Sequence, residues 1–249
     1  MKTKKKPLLF RIIQRIVRSL YLKYEVEIQE PIRTEAAVFV SNHAQIHGPL
    51  ASYLYFPFPK KVWVIGEMCH IKEVPSYAMQ DFWRYKPKIT KWFWWLFSVF
   101  IVAPLGSYLM SRADTVPVYR DARLKLTLQK TIETLDNNVN IVIFPEGKEP
   151  YNRYVNAFQK HFVDVARHYV RKTKKQISFY PMYICRDFKK IIIGKPIMYQ
   201  PEQEMESERN RIVHYLQEQI SALGDALPNH VIVPYENINK KNRPHSKEE

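Results

Sequence analysis

Glycine is scarce in this chain, six residues in 249, and cysteine scarcer still, with two. Neither a Gly-x-Gly-x-x-Gly turn nor a Gly-x-x-x-x-Gly-Lys-Ser/Thr loop occurs, which removes the glycine-rich cradles that hold nucleotide phosphates. Cys69 and Cys185 are too few and too far apart for a disulfide framework and are expected as reduced core thiols. There is no His-Glu-x-x-His pair. His43 and His47 are four apart, but Gly48-Pro49 follows at once and argues against one continuous helix, so no metal site is expected. No Gly-x-Ser-x-Gly elbow offers a nucleophilic serine. The basic start runs into an arginine-bearing amphipathic segment rather than an unbroken apolar stretch. No cleavable signal peptide is expected, and a cytosolic face is the default.

Positive charge is abundant. Lys and Arg number 39 against 24 Asp and Glu, a net charge of +15 that calls for a polyanionic partner, nucleic acid or an anionic membrane face. The basic residues gather in an N-terminal leader and scattered loops without a nucleic-acid-binding motif. The expected partner is therefore an anionic membrane surface and not nucleic acid. Four lysines in Met1–Lys6 lead into Pro7–Tyr24, where Leu9, Ile12, Ile13, Ile16, Val17 and Leu20 share one helical face and Arg11, Arg15 and Arg18 another. That pattern is a basic amphipathic helix lying on a bilayer, with an ordinary packed helix as the alternative. Trp92–Met110 carries no charge and approaches the roughly 20 apolar residues that span a membrane. Pro104 and Gly106 are expected to break it near its end. A membrane-dipping, monotopic helix with tryptophans at the headgroup boundary is the preferred reading, and a buried core helix its competitor.

Between these segments, apolar runs alternate with helical patterns. Glu35–Ser41, Lys61–Gly66, Thr115–Arg120, Asn140–Phe144, Ile177–Ile184 and Lys190–Gly194 read as strands. Gly48–Phe56, Ala122–Leu135, Tyr154–Tyr169 and Ser207–Leu223 read as helices. This is an α/β fold, a sheet with a parallel component flanked by helices. The expected division is a basic leader and membrane-surface helix over 1–34, an α/β domain over 35–236 and a polar, frayed tail over 237–249.

Three strand ends carry candidate chemistry. Asn42-His43 follows a buried strand, and a histidine there can act as a base near neutral pH. Glu146 and Gly147 follow Asn140–Phe144, and Arg120 closes Thr115–Arg120. If these strands are parallel neighbours, their C-terminal ends share one sheet edge, and imidazole, guanidinium and carboxylate face one cleft suited to acyl or phosphoryl chemistry on an anionic substrate.

Four blocks, in order, resemble the glycerolipid acyltransferase family typified by lysophosphatidic acid acyltransferases: Asn42-His43, Val116–Arg120, Phe144–Gly147, and Phe179–Ile184 followed by Ile193–Ile197. The resemblance spans Val38 to Pro201. It implies a mixed α/β sheet held at the membrane through N-terminal helices, and transfer of a fatty acyl group from a thioester to a lysophospholipid hydroxyl in phospholipid biosynthesis. It implies His43 as general base, with Arg120, Glu146, Gly147 and Lys148 binding the acceptor. No cofactor or metal is implied beyond acyl-CoA or acyl carrier protein as co-substrate, and the place is the cytoplasmic face of the cell membrane, peripheral or monotopic. Two positions depart from the family pattern. The aspartate expected five residues after the histidine is Gly48, and removing such a carboxylate from a comparable triad costs about four orders of magnitude in rate. A carboxylate from elsewhere, such as Glu67 or Asp81, is then needed, or the chain is a non-catalytic lipid- or acyl-carrier-binding member. The arginine expected after Phe-Pro-Glu-Gly-Thr is Glu149, leaving Lys148 or Arg153 to meet a phosphate.

Overall fold

The computed structural model describes residues 6–236, 238 and 240–247. In chain order the elements are α1 (Leu8–Leu20), β1 (Glu25–Ile28), β2 (Val38–Ser41), α2 (His47–Tyr55), β3 (Lys60–Ile65), α3 (Val74–Gln80), α4 (Lys91–Phe97), α5 (Ala103–Arg112), β4 (Thr115–Val118) and α6 (Leu124–Asp136). There follow β5 (Asn140–Ile143), β6 (Glu146–Pro150), β7 (Asn156–Phe158), α7 (Asp164–Thr173), β8 (Ser178–Cys185), β9 (Lys190–Ile193), β10 (Ile197–Met198) and α8 (Met205–Asp225). The chain divides into two compact units, Tyr21–Val62 with Lys130–Glu249, and Met1–Leu20 with Trp63–Gln129.

The larger unit holds a mixed sheet in the order β1-β9-β8-β2-β5-β3. β2 lies between β8 and β5 and is parallel to both, with Ser41 opposite Met182 and Val40 opposite Ile143. All four of its residues are buried, which is why it reads as an unbroken apolar run rather than an alternating one. β9 returns antiparallel along β8, and β10 adds antiparallel to β8. α8 covers β8 with Ile212, Leu216 and Ile220, all fully buried. Phe39 stacks on Tyr180 at 4.9 Å and meets Phe56 edge-on at 4.7 Å, which fixes the middle of the core. The consequence for function is positional. β2, β5 and β8 all end on one edge, so the residues after Ser41, Ile143 and Cys185 emerge together.

Two sequence expectations are corrected in this unit. Tyr154–Tyr169 is not one helix: it begins with β7, which pairs antiparallel with β6, and only Asp164–Thr173 forms a regular α-helix. The stripe of aromatics at helical spacing is satisfied in another way. Asn152 Oδ1 accepts the main-chain N–H groups of Tyr154 (2.9 Å) and Val155 (3.1 Å), holding them in a turn. Tyr154 then packs edge-on against Tyr183 and Phe162 against Phe179. The second correction concerns the polar tail. Its described part is folded back rather than frayed: Val231 bridges His245, Ile232 N–H donates to Pro244 O (2.8 Å), and Ser246 is buried with its N–H on His230 O.

β3 crosses the division, and its last residues, Trp63–Ile65, belong to the smaller unit, as does β4. α1 forms as the periodicity predicts, but most of its apolar face meets no protein. Phe10 alone is buried, and Leu20 is 82% exposed. The first five residues of the lysine-rich leader lie outside the described residues. The apolar stretch after Lys88 runs as one helix, Lys88–Arg112, long and apolar enough to cross a membrane. Pro104 does not break it. The turn before the proline widens into a π-helix over Ser98–Val102, where Ala103 N–H reaches back to Ser98 O, and this loosened turn accommodates a residue with no N–H to give. Only Ser98 and Ala103 in this helix are buried, while Trp92 and Phe100 are 67% and 69% exposed. A core helix would bury that face, so the competing core reading is set aside.

Candidate active site

Asn42 fixes the loop that leaves β2. Its side-chain amide matches the backbone of Ile184: Oδ1 accepts the Ile184 N–H (2.8 Å) and Nδ2 donates to Ile184 O (3.1 Å). The pair acts as one further rung after the β2–β8 ladder ends at Ser41 and Met182. The chain then reverses through Ala44 and Gln45, whose φ angles of 46° and 55° lie in the left-handed region. Two successive non-glycine residues there cost about 1–3 kcal/mol each, a strain that tends to gather at functional sites. The reversal closes with His47 N–H on Ala44 O (3.0 Å) and Gly48 N–H on His43 O (3.1 Å).

His43 sits half-buried at the start of this loop. Its ring lies edge-on to Phe144 at 5.5 Å and to Tyr235 at 5.3 Å, one from the end of β5 and the other from the C-terminal segment. Its backbone is gripped by Glu146. Oε1 accepts the His43 N–H at 2.5 Å, and Oε2 accepts the Asn156 N–H at 2.8 Å. One carboxylate thereby ties the histidine loop to the β6–β7 hairpin. His43 and Glu146 are brought together as the shared strand edge predicts, with Glu146 directed at main chain.

Glu146 is 4% exposed. Burial pushes its carboxyl up from 4.5 to about 7, against the opposing pull of the two N–H donors. The sign of the consequence is definite. Between pH 4.5 and 7 the unfolded chain has released a proton that the folded chain keeps, so stability falls as pH rises through that window. The total is on the order of 3 kcal/mol. Urea unfolding across the window should show this fall in the wild type and lack it in Glu146→Gln. Parallel curves for the two proteins would refute the assignment.

Gly147 follows on β6, and its backbone passes so close to β7 that an added Cβ would lie 3.0 Å from Ala157 O. Lys148 and Glu149 are exposed on the same strand. Arg153 turns away to donate to Ser246 O (2.8 Å). Arg120 lies in the smaller unit, exposed, two residues past β4. Glu67 and Asp81 also lie in that unit, Asp81 accepting from the Tyr77 hydroxyl at 2.7 Å. His47 is held by the Tyr21 hydroxyl, 2.9 Å from Nδ1, and burial together with the charges of Arg186 and Arg243 lowers its pKa. Gly48 allows no side chain here. A Cβ would fall 2.3 Å from His43 O and 2.8 Å from Asn42 O.

Residues 91–185 match the Acyltransferase family. The matched stretch takes in the Val116–Arg120 and Phe144–Gly147 blocks and the strand Phe179–Ile184, while His43 lies before it. The fold is shared with the crystal structure of the 1-acyl-sn-glycerophosphate (LPA) acyltransferase PlsC from Thermotoga maritima, at a TM-score of 0.51 and 14% identity, over 88% of this chain and 80% of that one. No curated protein sequence matches the chain significantly. The glycerolipid acyltransferase resemblance read from the four blocks is thus upheld, as is the mixed α/β sheet flanked by helices.

Asn156 and Tyr235 escaped sequence reasoning. Asn156 contributes a main-chain group, which leaves no side-chain signature. Tyr235 ends the apolar run Val231–Tyr235, a signal that the chain after α8 still had something to pack on.

Proposed function

We propose that the protein transfers a fatty acyl group from an acyl thioester, carried by coenzyme A or acyl carrier protein, to the hydroxyl of a lysophospholipid or related glycerolipid, with His43 as general base. The observation that carries this reading is the double grip of Glu146, which holds the His43 loop at the sheet edge in a chain whose residues 91–185 match the Acyltransferase family. In the reaction His43 takes the acceptor hydroxyl proton as the oxygen bonds to the thioester carbonyl carbon. The carbon–sulfur bond then breaks, and the imidazolium returns the proton to the departing thiolate. Glu146 positions the base through the main chain. Gly147 and Lys148 on β6 serve the acceptor, Lys148 supplying an exposed cation two residues after Glu146. No metal or other cofactor enters this scheme.

A specific observation favours a second reading: Gly48 removes the family's aspartate, and a member that binds lipid or acyl carrier without turnover fits that loss. Incubating the protein with a labelled acyl thioester and a panel of lyso-acceptors separates the two. Label in a two-chain lipid product supports transfer, and bound but unconverted lipid supports the second reading.

The site of action in this proposal is the cytoplasmic face of the membrane, reached by α1 and the Lys88–Arg112 helix without nucleic acid as a partner. Leu8, Leu9, Ile12, Ile16 and Leu20 are exposed on α1, whose Arg11, Arg15 and Arg18 suit anionic headgroups. Ile12→Glu with Ile16→Glu should lower binding to anionic vesicles by about tenfold or more, because two buried apolar side chains are exchanged for charges that the headgroups repel. Co-sedimentation with vesicles checks it, and unchanged binding would remove α1 from the membrane contact.

A further inference from the structure

The third strand end on the catalytic edge belongs to β8, and the residue that follows it is Arg186. Arg186 makes no side-chain hydrogen bond or ion pair among the described residues, and its Nε is buried without a partner. Arg243, from the folded-back C-terminal segment, also has a buried Nε without a partner. Its Nη2 donates to Gln45 Oε1 at 3.2 Å, and Gln45 Nε2 in turn donates to Glu236 O at 3.1 Å, so this segment is fastened to the histidine loop through Gln45. Both arginines border the same loop, Arg243 through Gln45 and Arg186 two residues after Ile184, whose backbone pairs with the Asn42 side chain; in keeping with this, the charge of Arg186 helps lower the pKa of Arg243, and both charges lower that of His47. Asp187, the acid beside them, is engaged by the Val231 N–H at 2.9 Å. Two arginines brought to one loop by the fold, each with an unused Nε donor, concentrate positive charge that Asp187 offsets only in part. Keeping like charges adjacent opposes folding, so a purely structural role gives no reason for it.

We propose that Arg186 and Arg243, bordered by the His43–His47 loop, bind a phosphate monoester. A guanidinium fork matches two phosphate oxygens, and a pair of forks on one group is a recognised use of arginine over lysine. Two ligands of the proposed reaction carry such a group, the glycerol phosphate of an acceptor and the 3′-phosphate of coenzyme A. Only the choice between them rests on the acyl-transfer reading; the binding itself does not. The site differs from the one the sequence blocks suggested, since neither arginine belongs to the Val116–Arg120 or Phe144–Gly147 block. It also gives the C-terminal segment a reason to be folded over the loop.

Calorimetric titration of the full chain with glycerol 3-phosphate, coenzyme A, dephospho-coenzyme A and inorganic phosphate tests this, in wild type, Arg186→Gln, Arg243→Gln and the exposed α7 control Lys172→Gln. Each arginine variant should lose about tenfold or more in affinity, a typical effect of removing one charge-assisted contact, and the control should lose none. Tighter binding of coenzyme A than of dephospho-coenzyme A assigns the site to the donor, and binding of glycerol 3-phosphate without that difference assigns it to the acceptor. Thermal melting adds a readout that a structural role would not give. Without ligand Arg186→Gln, which loses no hydrogen bond, should melt no lower than wild type because a repulsion is relieved, and ligand should raise only the wild-type and control melting temperatures. Arg186→Lys and Arg243→Lys keep charge and length and should bind with intermediate affinity, even should a glutamine variant fold poorly. Wild-type protein that binds none of the four probes, or arginine variants with unchanged affinities, would overturn the proposal, and phosphate binding that survives in a protein without acyl transfer would leave it standing.

Discussion

Gly48→Asp, which recreates the His-x-x-x-x-Asp spacing of the family, should lower acyl transfer rather than improve it, and Gly48→Ala should lower it nearly as far. Any Cβ at this position would lie 2.3 Å from His43 O, 2.8 Å from Asn42 O and 2.9 Å from His43 C. These are backbone atoms, so no rotamer change relieves the contact. The loop itself has to open, against the Gly48 N–H bond to His43 O and the Asn42 bonds to Ile184. Overpacking of this kind costs about 1–3 kcal/mol. The larger effect is on geometry, since displacing a catalytic group by about 1 Å costs about 10²-fold in rate. Both variants should therefore show kcat lower by about 10²-fold and a melting temperature lower by several degrees. Thiol-release kinetics and thermal melts check this. A Gly48→Asp enzyme faster than wild type would mean that the loop opens freely and that the missing acid alone limits the rate.

His43→Ala should lower acyl transfer by about 10²–10⁴-fold, the range supplied by a positioned general base. The chain should still fold, because the residue is half-buried and the bond to Glu146 comes from its main chain, which alanine retains. Vesicle binding should not change, since the exposed apolar face of α1 lies in the other unit. This combination distinguishes loss of chemistry from loss of structure. A variant that binds vesicles and melts like wild type yet keeps the wild-type rate would remove His43 from the reaction.

Much of the candidate site's placement was legible in the sequence, for reasons that are local. β2 announced itself because a strand buried on both faces is uniformly apolar, and the polar triplet Ser41-Asn42-His43 marks where burial ends. Glu146 was legible for the same reason at the end of β5, and the parallel pairing of the two strands then places both on one edge. What stayed hidden depends on contacts that span the chain. The grip of Glu146 on the His43 and Asn156 N–H groups joins three segments through main-chain atoms, which no residue pattern encodes. Asn152 overrode the helical spacing of Tyr154, Phe158 and Phe162 by capturing two N–H groups a helix would have used. Pro104 looked like a helix breaker because the widened turn that accommodates it has no sequence mark. Gly48 read as a missing acid, whereas its packing against His43 O makes it a position where only glycine fits. Arg186 and Arg243 are far apart in sequence, and only the folded-back C-terminal segment brings them together.

The most direct measurement is thiol release from an acyl thioester by the vesicle-bound full chain, followed together with the appearance of the two-chain lipid, with and without a lysophospholipid acceptor. Sustained release that needs the acceptor and matches the lipid formed is the expected result. Binding of thioester and acceptor with neither thiol nor product above the protein-free rate would contradict it.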